Sequence, residues 1–224
     1  MTRVGSLTSC ALFGLGAALF GCGSNASSGG KGGASSALDA IPKDSEIAGW
    51  KIDSTNSRLA NGPATATTQI DTENLIDGAS ADFFAAPYAP VLFAWQNYLN
   101  TTISTADTTT SPPTPDQQFP NGATVTLYVI QMPSASQAFG LYNSLLSASL
   151  YVGKTWTDPS DPKVGDGSRI ADTGDHWWIN FYKGDFYVEV SMGPSYSPPP
   201  DYTAGNTANR TAAFAFAAKV AGKI

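Results

Sequence analysis

The sequence is poor in the two residues that most often do covalent or metal chemistry: it has two cysteines and one histidine in 224 residues. Cys10 and Cys22 both lie near the N-terminus, so everything beyond residue 22 lacks cysteine. That part can form no disulfide, thiol nucleophile or thiolate metal site. His176 alone excludes centres built from several imidazoles and leaves acid–base catalysis open only in principle. Because it follows Gly174-Asp175 at the start of a strand pattern, we interpret it as a polar edge residue.

Basic residues are also scarce, with 12 Lys and Arg against 18 Asp and Glu. Nucleic-acid binding needs a basic surface to neutralise phosphates, and a polybasic membrane patch needs clustered lysines. The sequence has neither, which argues against both kinds of partner. Only three glutamates are present, so carboxylate chemistry would depend largely on aspartates.

The N-terminus has the organisation of an export signal. Arg3 is the only charge before Cys22, and the stretch from Val4 to Gly21 is apolar and small. That stretch is too short and too rich in Gly and Ala for a membrane-spanning helix, which needs about 20 apolar residues. A secretory signal cut elsewhere, with Cys22 incidental, is the simpler alternative.

The segment Leu19-Phe20-Gly21-Cys22 resembles the lipobox of bacterial lipoproteins, although Phe20 is bulkier than usual there. The resemblance implies cleavage before Cys22, a diacylglycerol on its sulfur and an acyl chain on its new amino group. Two or more chains give stable anchoring, whereas one does not. Gly23 is not the Asp that resembles an inner-membrane retention signal, which favours the outer membrane.

Composition divides the chain into three parts. Residues 1–21 are the predicted signal peptide, residues 22–37 are a Gly/Ser-rich flexible tether, and residues 38–224 are one domain. Loss of Arg3 leaves 11 basic against 18 acidic residues, a formal net charge of −7 for the mature chain. A domain of this length can bury a substantial core.

Periodicity within the domain alternates between strand and helix. The Thr124–Met132 run alternates apolar and polar residues, and Ser134 with Gln137 has the spacing of a capping box. Further strands are predicted at 49–52 and 91–100, a hairpin around Lys183-Gly184, and helices at 71–84, 134–148 and 206–220. Residues 54–69 are a loop or a weak edge strand, and residues 101–120 form a polar insert. The predicted class is α+β, an antiparallel sheet of five to seven strands with two or three packed helices.

Several segments in order resemble the DUF6599 family of uncharacterised bacterial proteins. They are Ala48-Gly49-Trp50, Glu73 to Ala79, Met132-Pro133-Ser134 with Ala138 to Tyr142, and Lys183 to Val188. Together they span about residues 41–192. The resemblance implies a mixed α/β domain with no assigned catalytic residue.

Four aromatic residues are candidates for ligand or partner contact. Trp177 and Trp178 are adjacent in a strand, so they point to opposite faces of the sheet. Either helices cover both faces, or one indole is exposed and could stack on a sugar, lipid or protein. Phe139 and Tyr142 on the predicted helix after Ser134 have the same ambiguity.

Four aspartates near two glycines raise the possibility of a calcium site: Asp158, Asp161, Asp166 and Asp172. Their spacing matches no EF-hand loop, and Asp-Pro with Gly-Asp-Gly is ordinary turn chemistry. No phosphate-binding loop and no Gly-x-Ser-x-Gly pattern is present, so neither nucleotide binding nor serine hydrolysis is indicated. No cofactor is predicted.

Two interpretations of function remain. The first is a non-enzymatic, lipid-anchored envelope protein that binds an envelope protein or a small molecule. The second is an envelope hydrolase with two facing carboxyl groups, about 5–10 Å apart for glycosidase chemistry. Asp77, Asp82 and Glu189 are the acids to examine first, although no spacing pairs them.

Overall fold

The computed structural model describes residues 33–76, 80–84, 87–100, 123–148, 151, 153–159, 162–172, 177–194 and 203–224. The described residues belong to one compact unit, Gly32–Ile224. This unit is an α+β domain, which confirms the predicted class. Cys22, Asp77, Asp161, His176 and the 101–120 insert lie outside the described residues.

Eight strands of the described chain form one antiparallel sheet. The central strands are rich in aromatic or β-branched residues, which favour extended structure. The strands are β1 (Trp50–Ile52), β2 (Ala64–Ala66), β3 (Leu92–Asn100), β4 (Ala123–Gln131), β5 (Trp156–Thr157), β6 (Gly167–Asp172), β7 (Trp177–Lys183) and β8 (Phe186–Pro194).

The strand order is β1-β3-β4-β8-β7-β6-β5, and β2 also pairs with β3. Strands β7 and β8 are joined by a two-residue turn, because Lys183 pairs with Phe186. Gly184 has φ +53° at the first turn position, a conformation that glycine adopts without strain. Short strands occupy both edges, as is usual for edges that must not pair with another chain.

Helices cover both faces of this sheet. In chain order they are α1 (Ala37–Ala40), α2 (Gln69–Ile76), α3 (Ser80–Phe84), α4 (Ala135–Ser144) and α5 (Thr203–Ala221), and a 3₁₀ turn at Leu145–Ser147 extends α4. Helices α1 and α5 pack on one face, and α4 packs on β7 and β8 from the other. The sheet is therefore buried on both sides.

Each face has its own apolar core. On the α5 face, Leu127, Val190 and Phe181 are fully buried together with Phe216 of the helix. On the α4 face, Phe93, Ile130 and Tyr187 are fully buried against Phe83 and Leu141. Alternate residues of one strand thus serve two cores, because successive side chains point to opposite faces.

Helix α4 begins at the predicted cap, but only half of the capping box forms. The Ser134 hydroxyl accepts a hydrogen bond from the Gln137 backbone N–H at 3.3 Å. The Gln137 side-chain oxygen is buried without a hydrogen-bond partner, so it does not reach back to the cap. The hydroxyl alone therefore caps this helix.

Three local predictions need correction. The helix expected over 71–84 is two helices, and Thr68 caps the first, its hydroxyl oxygen accepting from the Asp71 N–H at 3.2 Å. Strand β6 was not predicted, because Ser168-Arg169 interrupts its apolar pattern.

The folded unit also begins before residue 38: Ser36 caps α1, and Ala34 donates its N–H to the Lys223 carbonyl. Small residues in this segment pack closely, and Ala37 is fully buried.

Among the helices that the structure describes, none is long and apolar enough to cross a membrane.

Candidate functional site

Trp177 and Trp178 lie on opposite faces of β7, and both faces are covered. Trp177 is buried in the α5-side core, with the Arg210 guanidinium 5.8 Å from its ring centroid. Trp178 is half-buried on the α4 face, where the Lys154 ammonium lies 4.3 Å from its ring centroid. Neither indole forms an exposed platform, so the structure places both in packing roles.

A row of polar side chains crosses the α4 face of the sheet. Arg169 of β6 pairs with Asn180 of β7, Asn180 pairs with Glu189 of β8, and Glu189 pairs with Tyr128 of β4. Residues directly opposite each other share a face, with Cβ atoms about 5 Å apart. We call these four residues the polar row. Its first three members are at most 2% exposed, which is unusual for charged and amide groups.

Glu189 lies at the centre of this row. Its carboxylate accepts a hydrogen bond from the Tyr151 hydroxyl and a longer one, at 3.4 Å, from the Tyr187 hydroxyl. Burial raises the pKa of Glu189 to about 7, because removal from water penalises the charged form more than the hydroxyls and nearby cations favour it. A glutamate that titrates near neutrality is therefore sealed inside the domain.

Lys154, three residues after Tyr151 in the sequence, is the cation that lowers the Glu189 pKa most. Its ammonium lies 5.5 Å from the Tyr151 ring centroid, in addition to its contact with Trp178. Partial burial lowers the pKa of Lys154, and the Glu189 charge opposes that shift. Lys154 in turn lowers the Glu189 pKa, as Arg169 does more weakly. Among the described residues, the groups that shift the Glu189 pKa are therefore two cations and two phenol hydroxyls, and none is a second carboxyl.

Arg169 lies at the other end of the row and is only 2% exposed. Its Nη1 donates to the Tyr142 carbonyl oxygen at 2.6 Å, and its Cζ lies 4.2 Å from the Tyr142 ring centroid. The Trp156 ring centroid is 5.0 Å from the same Cζ. The guanidinium is therefore held between two aromatic rings, an arrangement favoured by cation–π attraction.

These two rings also line a groove between α4 and the β5–β6 edge of the sheet, with a volume of about 650 Å³. We call it the α4 groove, and define it by Phe139, Tyr142, Leu146, Trp156, Arg169 and Tyr182. Phe139 and Leu146 are about half exposed at its rim, and the Phe139 and Tyr142 rings lie 5.2 Å and 5.1 Å from the Tyr182 ring. Its size and its combination of aromatic and polar lining residues fit a small ligand.

Several buried polar atoms at and behind this groove have no hydrogen-bond partner. They are Nε and Nη2 of Arg169, Nε1 of Trp156, and both side-chain atoms of Asn180. Buried polar groups in folded proteins are almost always hydrogen-bonded, so each such atom needs an explanation. Their concentration in one place distinguishes the α4 groove from the rest of the described surface.

A larger cavity, of about 880 Å³, lies where residues 33–46 meet the end of α5. Two of its acids already have partners: Glu46 pairs with Lys223 at 2.7 Å, and Asp39 accepts from the hydroxyls of Ser35 and Ser36. The pKa values of Glu46 and Asp39 are lowered, first of all by these hydrogen bonds. This cavity therefore presents paired charges that hold the two ends of the domain together.

The predicted acidic candidates do not converge. Asp158 lines the α4 groove, Asp166 accepts a hydrogen bond from the Gly184 N–H at 2.9 Å, and Asp172 ends β6. Within the described ranges, no group of three or more His, Cys, Asp or Glu is placed to hold a metal ion. Asp82 lies in α3, on a different element from Glu189, and is half-buried.

Sequence reasoning named Phe139, Tyr142 and Glu189 but missed Arg169, Asn180 and Trp156. A signal was present in the hairpin around Gly184. Because Lys183 pairs with Phe186 across the hairpin, Asn180 pairs with Glu189. This cross-strand pair is therefore polar within two otherwise apolar strands. Arg169 offered no comparable signal, because its strand was not predicted.

No protein-family model matches this chain, and no curated protein is similar enough to count as a relative. The resemblance to DUF6599 and the lipobox reading of Cys22 stay predictions from the sequence.

Proposed function

We propose that this chain is a non-enzymatic, lipid-anchored protein of a bacterial cell envelope whose domain binds a small molecule in the α4 groove. The anchor is Cys22, on the strength of the lipobox-like segment and the Gly/Ser-rich stretch behind it. The outer membrane is the favoured location. The ligand-binding part of the proposal rests on the geometry of the groove.

One observation supports binding above all others: the α4 groove combines an apolar, partly exposed rim with buried donors that have no partner. Phe139 and Leu146 are each about half exposed on the same side of the groove. The same groove is lined by Arg169 and Trp156, whose guanidinium Nε and Nη2 and indole N–H are buried without a partner among the described residues. Ligand sites typically combine such apolar walls with a few placed polar groups that orient the ligand.

The alternative, a carboxylate-dependent hydrolase, is favoured by one feature, the near-neutral pKa of Glu189. A general acid of this kind must touch the substrate, and Glu189 is 1% exposed and lies outside the groove wall. A second carboxyl is also required, and only phenols and cations act on Glu189 in the described part of the chain. Binding is therefore the better-supported function.

Native mass spectrometry of the full-length protein, extracted from its own membrane in mild detergent, tests the groove. We expect a bound small molecule that is lost when Phe139 and Leu146 are both changed to Ser. The matched control changes Ile70 and Val91 to Ser, because these are at least as exposed but lie outside the groove. Absence of any ligand, or equal retention in both double variants, would contradict the proposal.

The anchor is tested separately by mass spectrometry of the mature N-terminus. We expect an N-terminal peptide that begins at Cys22 and carries acyl chains. Cys22→Ser should leave the protein in the soluble fraction after cell lysis or uncleaved in the membrane, since the sulfur that carries the diacylglycerol is gone. An unlipidated mature N-terminus in the wild-type protein would refute the anchor and leave the groove proposal untouched.

A further inference from the structure

The guanidinium of Arg169 has one edge occupied and one edge free. Nη1 donates to the Tyr142 carbonyl at 2.6 Å, whereas Nε and Nη2 are buried without a partner. Nε–H and the adjacent Nη2–H point the same way from the planar group. They form the side-on fork that binds the two oxygens of a carboxylate or phosphate in a bidentate manner.

No carboxyl group of the described chain binds this fork. Glu189, the nearest acid along the polar row, is held by Tyr151 and Tyr187, and Asn180 lies between it and Arg169. Asp158 is exposed on the groove wall, where its charge acts on Tyr142. Buried charges in proteins are paired, so a free fork on an arginine 2% exposed calls for an external anion.

The neighbouring unpartnered atoms favour the same kind of ligand. Trp156 contributes an indole N–H, which can only donate, and Asn180 contributes two further N–H donors against one acceptor. Donors therefore outnumber acceptors among the unpartnered groups around the fork. An acceptor-rich, negatively charged group matches that excess, while a cation or a donor-rich group does not.

The two rings that sandwich the guanidinium control access to it. Trp156 belongs to β5, a two-residue edge strand that pairs only with β6. Few backbone hydrogen bonds hold this strand, so outward movement of the indole is the least costly way to expose the fork.

We propose that the α4 groove binds an aromatic or apolar small molecule that carries a carboxylate or phosphate group, and that the Nε/Nη2 edge of Arg169 receives this group. The inference rests on the proposed binding function and adds the chemical class of the ligand. The rings of Phe139, Tyr142 and Tyr182 contact its apolar body, and Trp156 closes over the anion.

Four benzene derivatives of nearly equal size test the charge requirement on the full-length protein: benzoate, phenyl phosphate, neutral benzamide and cationic benzamidine. Their dissociation constants are measured by ligand-observed NMR titration. We expect benzoate or phenyl phosphate to bind at least about tenfold more tightly than benzamide, with benzamidine weakest. The tighter of the two anions identifies the group that the fork prefers.

Variants then assign the effect to the fork. Arg169→Lys keeps the charge but removes the paired N–H groups, so benzoate affinity should fall by about tenfold while benzamide affinity stays unchanged. Lys51→Ala, which removes an exposed cation outside the α4 groove, is the matched control and should change benzoate affinity by less than about threefold.

The outcomes separate the two proposals. Equal binding of benzoate, benzamide and benzamidine by the wild-type protein would overturn the anion assignment and leave the groove as a binding site. Binding of none of the four probes would overturn the anion assignment, and the native mass spectrum would then decide on the groove itself. Since the wild-type series is decisive, poor folding of Arg169→Lys would not prevent the test.

Discussion

Replacement of Glu189 by glutamine should remove a pH dependence of stability that this one buried carboxyl imposes. Burial raises its pKa from 4.5 to about 7 in the folded protein. Between these two values the folded form retains a proton that the unfolded chain has already lost. The unfolded state therefore binds fewer protons, and stability falls as pH rises through this window.

The size of the effect follows from the difference between the two pKa values. That difference is about 2.5, and each unit corresponds to about 1.4 kcal/mol, which gives a loss of about 3–4 kcal/mol once Glu189 is fully ionised. Most of this loss, about 2–3 kcal/mol, should occur between pH 5 and pH 8. Glu189 is 1% exposed, so solvent screening reduces the figure little. Glutamine has the same shape and cannot ionise.

Urea unfolding followed by tryptophan fluorescence at pH 5, 6, 7 and 8 measures this effect. The quantity to compare is the free energy of unfolding of Glu189→Gln minus that of the wild type. This difference cancels the pH dependence that the two proteins share. We expect it to rise by about 2–3 kcal/mol from pH 5 to pH 8. A difference that stays constant within about 0.5 kcal/mol would refute the claim that the carboxyl is buried and titrates near neutrality.

Two further predictions concern stability. Gly165→Ala should cost about 2–4 kcal/mol of unfolding free energy, because φ is +66° and the new Cβ would clash with the Tyr182 carbonyl oxygen. Gly184→Ala should cost only about 1–2 kcal/mol, because φ is +53° but the space around the new Cβ is open. Equal losses of the two variants in urea unfolding would contradict this. Arg169→Met should leave stability unchanged or raise it by about 1–2 kcal/mol while benzoate binding is lost, because it removes a buried charge with a free edge. A loss above about 2 kcal/mol would contradict this, and would mean that the Nη1 bond to Tyr142 and the two ring contacts outweigh the cost of the buried charge.

Strands and helices with strong local patterns could be predicted from the sequence. The run that became β4 alternates apolar and polar residues, and Ser134 before an apolar stripe marks the start of α4. These features depend on neighbours within a few positions, which a linear reading contains. Strand β6 was missed for the opposite reason: Ser168-Arg169 breaks its pattern, and only pairing with β7 makes it a strand.

The absence of cysteine beyond residue 22, the excess of acid over base and the anchor-like N-terminus are properties of the sequence alone. So are the adjacent indoles, whose opposite orientations follow from the geometry of any strand. Whether those indoles are exposed was decided only by helices on both faces of the sheet. Tertiary structure likewise brought Tyr151 to Glu189, 38 residues away, and Arg169 beneath the Tyr142 ring. Such contacts depend on long-range strand pairing and on which charges are withdrawn from water, and neither is encoded in local periodicity. The polar row and the free edge of Arg169 are therefore products of the fold.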